Sequence, residues 1–527
     1  MLAWDLQGNS GRAESAGLKL GIQRIRTCRP NPAGAVLGGA LLLGAVWAAV
    51  TAARTPMDAL EGRPPIVVWQ VPAQSDHSPD RAWGDPLRIG HVPLGSRIVL
   101  LNASGPTTVL SQRFSAVGLP DLSHDASKLL FVGRASPNDA WAVWEVSLGD
   151  GAARLIVPCP SACDRAVYLS TLYTLDAERP VAQIAFRALD EAYGVPAIFR
   201  CGLDGSDVQQ ITFSPDGAAD PLLLTDGRLL FSMASQSSPP AARSDVKPAR
   251  HASTFFTVNT DGTDLFPFTG QGAAPAARSD PTEMPDGRVV FVERSLPPGG
   301  RLAAVQRTHS VAVPTELLNS EEDLRRPLFL AGNEILAARR TGASPQASYQ
   351  VAQFEGEART WLNVLDDPQF HDFPAALVMP RRLPPGRSTV VNPGIDVGQL
   401  YCLNSYIQGG EAPAIGAGDI HRIRVYSLIA GQTDAVPGVL GELEVEPDGS
   451  FFAELPARTP ISLETLDAEG QSIQRMRSWF WVMPMERRGC IGCHEDRELT
   501  PPNRHVFALR KRAQRIGLPY QFKMHDE

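Results

Sequence analysis

Short apolar strands that each follow a tight turn recur along this chain, and their repetition leaves few possible folds. Four segments have this form: SHDASKLLFV from Ser123, LTDGRLLFSM from Leu224, MPDGRVVFVE from Met284 and LAGNEILAAR from Leu330. In two of them Asp-Gly supplies the positive backbone angles of a tight hairpin, and the apolar run after it is typical of a strand buried on both faces. Glycine and proline, with 46 and 45 residues among 527, fit many short strands joined by turns. The chain is therefore predicted to be mainly β.

A second kind of segment, with the order strand, Asp-Gly turn and strand, lies between segments of the first kind. WEVSLGDGAARLIV, IFRCGLDGSDVQQIT and FFTVNTDGTDLFPFT have their turns at Asp150, Asp204 and Asp261, which are 54 and 57 residues apart. This spacing suits one four-stranded blade per repeat. We expect a β-propeller of about six blades over residues 86–375. The Asp-Gly pairs are interpreted as hairpin turns rather than as calcium or catalytic sites.

The sequence changes character after a proline-rich connector, PRRLPPGRS from Pro380. The segments VGQLYCLNSY, GDIHRIRVYSLIA and GELEVEPDGSFFAELPARTPISLETLDAEGQSIQ alternate apolar and polar residues and contain further hairpin signals. This pattern predicts a β-sandwich-like domain over residues 376–484. The domain ends in RSWFWVMPMERRGCIGCHE, in which Trp479, Phe480 and Trp481 either wall a cofactor pocket or pack in the sandwich core.

Residues 490–494, CIGCH, have the C-x-x-C-H spacing that attaches c-type haem. In that chemistry the thiols of Cys490 and Cys493 bond the vinyl groups, and His494 becomes an axial ligand of the iron. With seven Cys and ten His in the chain, the expected number of accidental matches is about 0.002. The alternatives are a disulfide or half of a zinc site, but a structural zinc normally needs a second Cys/His pair at similar spacing, which the sequence lacks. We predict one covalent haem c in a C-terminal segment spanning residues 485–527.

Haem is attached outside the cytoplasm, so the chain is expected to cross a membrane. Residues 33–53, AGAVLGGALLLGAVWAAVTAA, are 21 uncharged residues, enough to span the roughly 30 Å hydrocarbon core as a helix. Residues 1–32 carry five basic against two acidic side chains, a net charge of +3 that keeps this leader cytoplasmic. The apolar segment is either an uncleaved anchor or a cleaved signal peptide, because residues 51–53 resemble a small-residue cleavage site. After a linker over residues 54–85, the body is expected on the periplasmic side of the inner membrane, anchored or secreted.

The net charge, the absence of several catalytic motifs and the cysteines outside the C-x-x-C-H motif give further information on function. A net charge of −8 with 43% hydrophobic residues gives no indication of nucleic-acid binding. Glycine-rich phosphate loops, G-x-S-x-G and H-E-x-x-H are absent from the sequence. Cys159 and Cys163, in PCPSACD, could close a small loop by a disulfide in an oxidising compartment. Cys201 and Cys402 are expected to pack as small apolar residues.

The sixth ligand of the iron decides between two functions. A strong ligand such as Met or His makes an electron-transfer haem, whereas an iron with an open face can bind a small molecule. The candidates are His505, eleven residues after His494, and Met483 and Met485, just before the motif. A lone histidine in such a stretch is more often a surface residue, and a methionine on a chain leaving a strand often points into the core. The sixth ligand is therefore left open.

The order of these parts resembles one known family. A membrane-crossing segment, a propeller with blades similar to those of TolB-type proteins, a β domain containing E-P-D-G-S-F and L-D-A-E-G, and then R-x-W…C-x-G-C-H-E are similar to the hydrazine synthase alpha subunit-like family over most of residues 80–500. The resemblance implies a haem in this region. In the synthase a tyrosine four residues after the motif histidine takes the iron and the histidine helps hold a zinc, whereas this chain has Glu498 at that position. We therefore expect ordinary ligation by His494. A single C-x-x-C-H, against the second haem site and further subunits that the synthase needs, argues against hydrazine formation.

Two functions of different class follow as hypotheses. In the first, the protein is a monohaem cytochrome that transfers electrons, and the propeller docks redox partner proteins. In the second, it is a haem oxidoreductase that holds a small nitrogen or oxygen compound at the junction of the propeller and the haem segment, as the resemblance implies. A weaker alternative is a propeller scaffold with a vestigial haem.

Overall fold

The chain folds almost entirely into strands and turns. The computed structural model describes residues 4–5, 62–74, 85–102, 107–175, 177–235, 252–270, 276–294, 300–309, 313–320, 322–330, 334–341, 347–356, 359–407, 415–428, 437–492 and 504–518. Within these ranges the helical structure consists of two 3-10 turns, Arg307–His309 and Ala508–Arg510. The prediction of a mainly β fold is confirmed.

Membrane-spanning helices were sought in the same ranges. None of the helices described there is long and apolar enough to cross a bilayer. The predicted membrane segment, residues 33–53, lies outside the described residues.

Six antiparallel sheets follow one another in the described part of the chain between residues 66 and 377. Their strands are Ile66–Pro72, Arg97–Leu101, Thr108–Val109 and Phe370–Leu377 in sheet 1; Ala116–Val117, Asp121–Leu122, Lys128–Arg134, Ala142–Ser147 and Ala153–Pro158 in sheet 2; Cys163–Tyr168, Gln183–Asp190, Val195–Gly202 and Gln209–Gln210 in sheet 3; Ala219–Leu223, Leu229–Ser235, Ala252–Val258 and Phe266–Pro267 in sheet 4; Ala277–Glu283, Arg288–Arg294, Gly300–Gln306 and Thr315–Ser320 in sheet 5; and Asp323–Phe329, Ile335–Arg340, Gln350–Glu355 and Thr360–Leu365 in sheet 6. This succession of sheets is the propeller predicted from the repeats.

In spatial order, the apolar runs of the repeats form the strand second from one edge of their sheets. Lys128–Arg134, KLLFVGR, and Arg288–Arg294, RVVFVER, each bury five successive residues, because neighbouring sheets cover both of their faces. The Asp-Gly pairs lie in the turns, where Gly151, Gly205 and Gly262 have φ of 68°, 84° and 88°. Glycine adopts these left-handed angles without the steric cost that other residues meet. The interpretation of these pairs as hairpin turns is confirmed.

The propeller is closed by a strand from outside its predicted range. Ile66–Pro72 pairs antiparallel with Phe370–Leu377 on one side and with Arg97–Leu101 on the other. The sequence analysis placed residues 66–72 in a linker, so the start of the propeller at residue 86 is corrected. Pairing the first and last strands in one sheet removes the open edges that a linear array of sheets would leave.

One strand of each sheet contacts its counterparts in the neighbouring sheets around the ring. These strands are Phe370–Leu377 in sheet 1, Asp121–Leu122 in sheet 2 and the first strand of each of sheets 3 to 6. In sheets 4, 5 and 6 the pairing register of this strand shifts at Asp220, Asp280 and Arg326, which all have positive φ. A proline follows each of the three residues. Such bulges suit an edge strand, because proline has no N–H to donate to a ladder. Each bulge therefore places one charged residue on the strand that contacts the neighbouring sheets: Asp220, Asp280 or Arg326.

Beyond the propeller, two further sheets form the second domain. Sheet 7 consists, in spatial order, of Trp4–Asp5, Ser472–Met476, Ile461–Leu466, Arg422–Ser427 and Gly438–Glu444; sheet 8 consists of Arg487–Cys490, Val397–Cys402, Phe451–Pro456 and Gln514–Arg515. A parallel pair, Leu172–Tyr173 with Arg387–Ser388, ties the connector to the propeller. One buried apolar cluster joins sheets 7 and 8 to sheets 3 and 4, so the two domains share a core.

The boundary between the sandwich-like domain and the haem segment also changes. We expected residues 485–527 to hang from the last strand of the domain as a separate segment. Instead, Arg487–Cys490 and Gln514–Arg515 are parallel members of sheet 8. The first motif cysteine is therefore built into the domain by backbone pairing.

Candidate functional site

Cys490 is the last residue of a strand whose neighbours fix its position. Its strand runs parallel to Val397–Cys402, and Cys490 is the direct register partner of Cys402. The ladder continues past the strand, since the amides of Leu403 and Asn404 donate to the carbonyls of Cys490 and Ile491 at 2.8 and 3.2 Å. Cys490 is half-buried and packs against the core cluster shared by the two domains.

The other two haem-motif residues, Cys493 and His494, lie outside the described residues. The predicted attachment by Cys493 and iron ligation by His494 therefore stay predictions.

Two glycines flank Cys490, and each is closely approached by other chain segments. A Cβ on Gly489 would lie 2.5 Å from Cζ of Tyr401, and a Cβ on Gly492 would lie 2.8 Å from Cβ of Ile407. Real Cβ atoms do not approach other atoms so closely, so any larger residue would push the strand away from its neighbours. The glycines in R-R-G-C-I-G thus let this segment lie flat against the extension of Val397–Cys402.

The two arginines before the motif point to opposite faces of sheet 8, as alternation in a strand requires. The guanidinium of Arg487 lies 5.6 Å from the ring centre of Tyr401 and 5.2 Å from that of Phe452. Arg488 is 5% exposed, stacks 5.6 Å from the ring of Phe480 and donates a hydrogen bond to the carbonyl of Leu265 in the propeller. The strand that ends at Cys490 is thereby bound to sheet 4.

Glu486 completes this junction between the propeller and the strand of Cys490. One carboxylate oxygen accepts the amide of Asp264 at 2.8 Å, and the other accepts the amide of Met483 at 2.6 Å. The side chain is buried, and burial raises the pKa of Glu486 above its ordinary value, against the opposing effect of the Arg488 charge. The carboxylate therefore links the turn after Asp261 to the strand that ends at Cys490.

The aromatic run before the motif belongs to the core. Trp479, Phe480 and Trp481 are at most 2% exposed. The indole of Trp481 donates to the carbonyl of Gly262 at 3.0 Å and meets the ring of Phe213 edge-on, 6.1 Å between centres. Of the two interpretations left open by the sequence, core packing at the domain junction is the one observed.

The candidate sixth ligands lie at different ends of sheet 8. Met485 is 51% exposed and its amide donates to the carbonyl of Val397, at the end of the strand opposite Cys490. Three residue steps of extended strand separate Arg487 from Cys490, about 10 Å at 3.3 Å per residue. Met483, by contrast, is 2% exposed and packs beside Gly262.

His505 is exposed, and its segment is held at the same end of sheet 8 as Cys490. The amides of Phe507 and Ala508 donate to the side chains of Asp448 and Ser450 at 2.9 and 3.0 Å. That hairpin leads into Phe451, which is the register partner of Cys402 across the sheet. The structure thus gathers the segment of His505 and the end of the Cys490 strand around one hairpin.

Charged residues from several sheets of the propeller cluster around Arg187. Arg187, 3% exposed at its side chain, donates to Asp164 at 2.6 Å and to three backbone carbonyls, those of residues 85, 88 and 218, at 2.5 Å each. Arg165 and Arg326 line the same small pocket, together with Asp164 and Asp220. Burial, followed by the charge of Arg326, lowers the pKa of Arg165 to about 10. Sequence reasoning missed this network. Of the residues named, only Arg326 carries a local signal, as the charged residue before a proline in the first strand of sheet 6.

Metal-binding clusters were also sought. Among the residues that the structure describes, no group of three or more His, Cys, Asp or Glu side chains is placed to hold a metal ion. Cys159 and Cys163 form a disulfide with a Cα–Cα distance of 6.3 Å, as the sequence allowed, and it ties sheet 2 to sheet 3.

Comparison with known proteins agrees with the resemblance drawn from the motifs. Residues 407–495 match the sequence model of the hydrazine synthase alpha subunit middle domain. Hydrazine synthase subunit alpha of Kuenenia stuttgartiensis is 35% identical over 57 residues, a match that spans 11% of this chain and 7% of that subunit.

The fold extends the likeness over more of the chain. The structure of Kuenenia stuttgartiensis hydrazine synthase superposes with a TM-score of 0.68 at 19% identity, covering 85% of this chain and 71% of that one. TolB from Acinetobacter baumannii matches at a TM-score of 0.39 and 15% identity, covering 60% of this chain and 68% of TolB. The resemblance to the hydrazine synthase alpha subunit-like family is confirmed.

Proposed function

From its relation to the hydrazine synthase alpha subunit-like family, we propose that this protein is an exported haem c protein that transfers electrons. Cys490 and Cys493 would hold one haem covalently, and His494 would bind its iron. The observation that carries the proposal is the C-x-x-C-H spacing of residues 490–494, whose first cysteine ends an edge strand paired with Val397–Cys402. When bound, the haem supplies one-electron exchange.

The described surroundings of Cys490 fit such a group. Cys490 is half-buried beside an apolar cluster that includes partly buried Tyr406 and Ile415, which offers apolar cover for a haem. His505 is the sixth ligand that we propose, because its segment is anchored at the same end of sheet 8. Met485 is disfavoured by its place at the opposite end of the strand.

The remaining parts of the proposal concern partners and location. We take the six sheets as six blades of a platform that docks redox partner proteins. The disulfide between Cys159 and Cys163 supports an oxidising compartment, in agreement with export to the periplasmic side of the membrane by residues 33–53. A cytoplasm-only reporter fused after residue 527 is expected to be inactive, and an active fusion would contradict export.

Haem attachment is tested by staining the denatured protein on a gel. A covalent haem survives denaturation, so the wild-type band should stain and Cys493→Ala should lose most of the stain. Cys201→Ala is the matched control, because Cys201 is a buried thiol of sheet 3 outside the motif. Equal staining of Cys493→Ala and the wild type would overturn the attachment site.

The second candidate function is a haem oxidoreductase for a small nitrogen or oxygen compound, and the family match over residues 407–495 favours it. Against it, Trp481, Met483 and Glu486 fill the described part of the junction where the substrate would lie. The spectrum of the reduced protein separates the two functions. A low-spin spectrum that carbon monoxide leaves unchanged supports electron transfer, and a high-spin spectrum that shifts supports the enzyme.

A further inference from the structure

Residues from five sheets of the propeller meet in the small pocket beside Arg187. Its lining consists of one aromatic, one aliphatic and five charged side chains: Trp69, Leu119, Asp164, Arg165, Arg187, Asp220 and Arg326. The aromatic residue belongs to sheet 1, the aliphatic one joins two strands of sheet 2, and the charged ones come from sheets 3, 4 and 6. A ligand in this pocket would therefore bind several sheets at once.

The aspartates that line the pocket already have cationic partners. Asp164 pairs with Arg187 at 2.6 Å, and Asp220 pairs with Arg326 at 3.4 Å. Arg326 has a closer partner in Asp280, at 2.8 Å. Two of the three arginines in the lining are thus held by carboxylates of the protein.

Arg165 is the third arginine, and it forms no ion pair with any carboxylate that the structure describes. Its Nη1 donates to the carbonyl of Leu119 at 3.5 Å, which is longer than an ordinary hydrogen bond. Its Nε is buried and has no hydrogen-bond partner in the described ranges. Burial and the charge of Arg326 lower the pKa of Arg165 to about 10; Asp121 acts in the opposite direction but is itself bound to Arg381 at 2.8 Å. A desolvated cation without a counter-charge is costly, so a bound anion would stabilise the folded protein.

We propose that Arg165 binds one small monovalent anion, of the size of chloride, in this pocket. The charge of the anion follows from the lining, in which three arginines against two aspartates leave one positive charge. A larger oxyanion would need more donors than the pocket has free. The indole of Trp69 donates to the carbonyl of Val117 at 2.8 Å, and the guanidinium of Arg187 is occupied by Asp164 and three backbone carbonyls.

Asp164 is the group most able to repel such an anion. Its Oδ2 is neutralised by Arg187 and accepts the amide of Gly90, whereas its Oδ1 is buried without a hydrogen-bond partner among the described residues. Burial raises the pKa of Asp164 above its ordinary value. Protonation would remove the repulsion and turn Asp164 into a hydrogen-bond donor for the anion.

Thermal unfolding of the full-length protein tests the binding in solution. Sodium chloride should raise the unfolding midpoint relative to sodium gluconate at the same ionic strength, because gluconate is too large for the pocket. Chloride at ten times its Kd would favour the folded state by about 11-fold. Arg165→Met should remove this response, and Arg154→Met should keep it, since Arg154 is 48% exposed and pairs with Glu145 outside the pocket. An equal chloride response in the wild type and Arg165→Met overturns the proposal.

Arg165→Lys decides the question if Arg165→Met does not fold. Lysine keeps the charge but loses the planar fork, so the chloride response should remain with a higher Kd. An unchanged Kd in Arg165→Lys overturns the role of Arg165.

Bromide, a heavier analogue of chloride, locates the anion. Crystals of the wild type grown without halide and soaked in sodium bromide should show an anomalous peak beside the guanidinium of Arg165. Absence of this peak, or water alone in the pocket, overturns the proposal. Because no residue of the pocket belongs to the haem motif, these results do not depend on haem attachment.

Discussion

Replacing Gly262 by alanine tests whether the turn of sheet 4 holds the domain of sheets 7 and 8 to the propeller. Gly262 has φ of 88°, and a Cβ there would lie 2.9 Å from both Sδ and Cε of Met483 and 3.0 Å from the carbonyl of Ile211. Met483 is 2% exposed, so its side chain has little room to move away. The substitution is therefore expected to lower the free energy of unfolding in two ways, through the strained backbone angle of alanine and through the close contact of its Cβ with Met483.

Gly151 separates the two costs, since it occupies the corresponding Asp-Gly turn of sheet 2. Its φ is 68°, and a Cβ there would meet nothing within 4 Å. Alanine in the left-handed region costs roughly 1–2 kcal/mol, which both substitutions share. Overpacking a buried contact costs typically a further 1–3 kcal/mol. We expect Gly151→Ala to lower the free energy of unfolding by about 1–2 kcal/mol and Gly262→Ala by about 2–5 kcal/mol.

Urea denaturation of the two variants and the wild type measures these differences. Met483→Ala combined with Gly262→Ala should recover part of the loss, giving a coupling of at least about 0.5 kcal/mol between the two positions. Equal losses for Gly262→Ala and Gly151→Ala, together with additive behaviour of Gly262→Ala and Met483→Ala, would refute the junction as described.

Three further substitutions test other buried groups. Arg187→Met leaves the carboxylate of Asp164 buried without its cation, so the free energy of unfolding should fall by roughly 3–5 kcal/mol in urea; a loss below about 1 kcal/mol would contradict the pair. Burial raises the pKa of Asp372 to about 7, so the folded state keeps a proton that the unfolded chain releases near pH 4. Wild-type stability relative to Asp372→Asn should therefore fall as pH rises from 4 to 7, by at most about 4 kcal/mol, and a flat difference in denaturation measured across this range would exclude the shift. Replacing Cys159 and Cys163 by serine together should cost about 2 kcal/mol from the lost loop constraint, seen as a lower urea midpoint, and an unchanged midpoint would show that the link has no stabilising effect.

The predictable parts of this fold are those with short-range causes. Hairpin turns and buried strands leave local patterns, so the strand of sheet 5 after Asp286-Gly287 was found from sequence. The strand Ile66–Pro72 is as apolar as the others, yet it was assigned to a linker because its partner lies about 300 residues later, at Phe370–Leu377. Its neighbouring turns also lack the Asp-Gly signature. A non-local pairing of this kind leaves no trace in either strand alone.

The candidate site also has some features that short-range sequence predicts and others that depend on long-range strand pairing. C-x-x-C-H is recognisable because one haem fixes the spacing of all its attachment residues within five positions. The placement of Cys402 beside Cys490 depends on which strands pair and in which register, and neither is encoded near either cysteine. The burial of Arg488 follows from a carbonyl in another domain, so a charged residue in the sequence gave no reason to expect it.

The Asp-Gly turns show that a dipeptide can predict the local backbone structure without predicting which contacts that turn makes in the fold. Gly151 and Gly262 follow aspartates in the same kind of turn and have similar backbone angles. One turn meets no neighbouring atoms within reach of a Cβ, whereas the carbonyl of the other accepts the indole of Trp481. The turn chemistry is the same at both sites, and it correctly predicts a hairpin at each. The two turns differ in their neighbours, because Gly262 contacts Trp481, which lies more than 200 residues later in the chain. A dipeptide that is only a turn in sheet 2 thus becomes, in sheet 4, part of the support for the strand that carries Cys490.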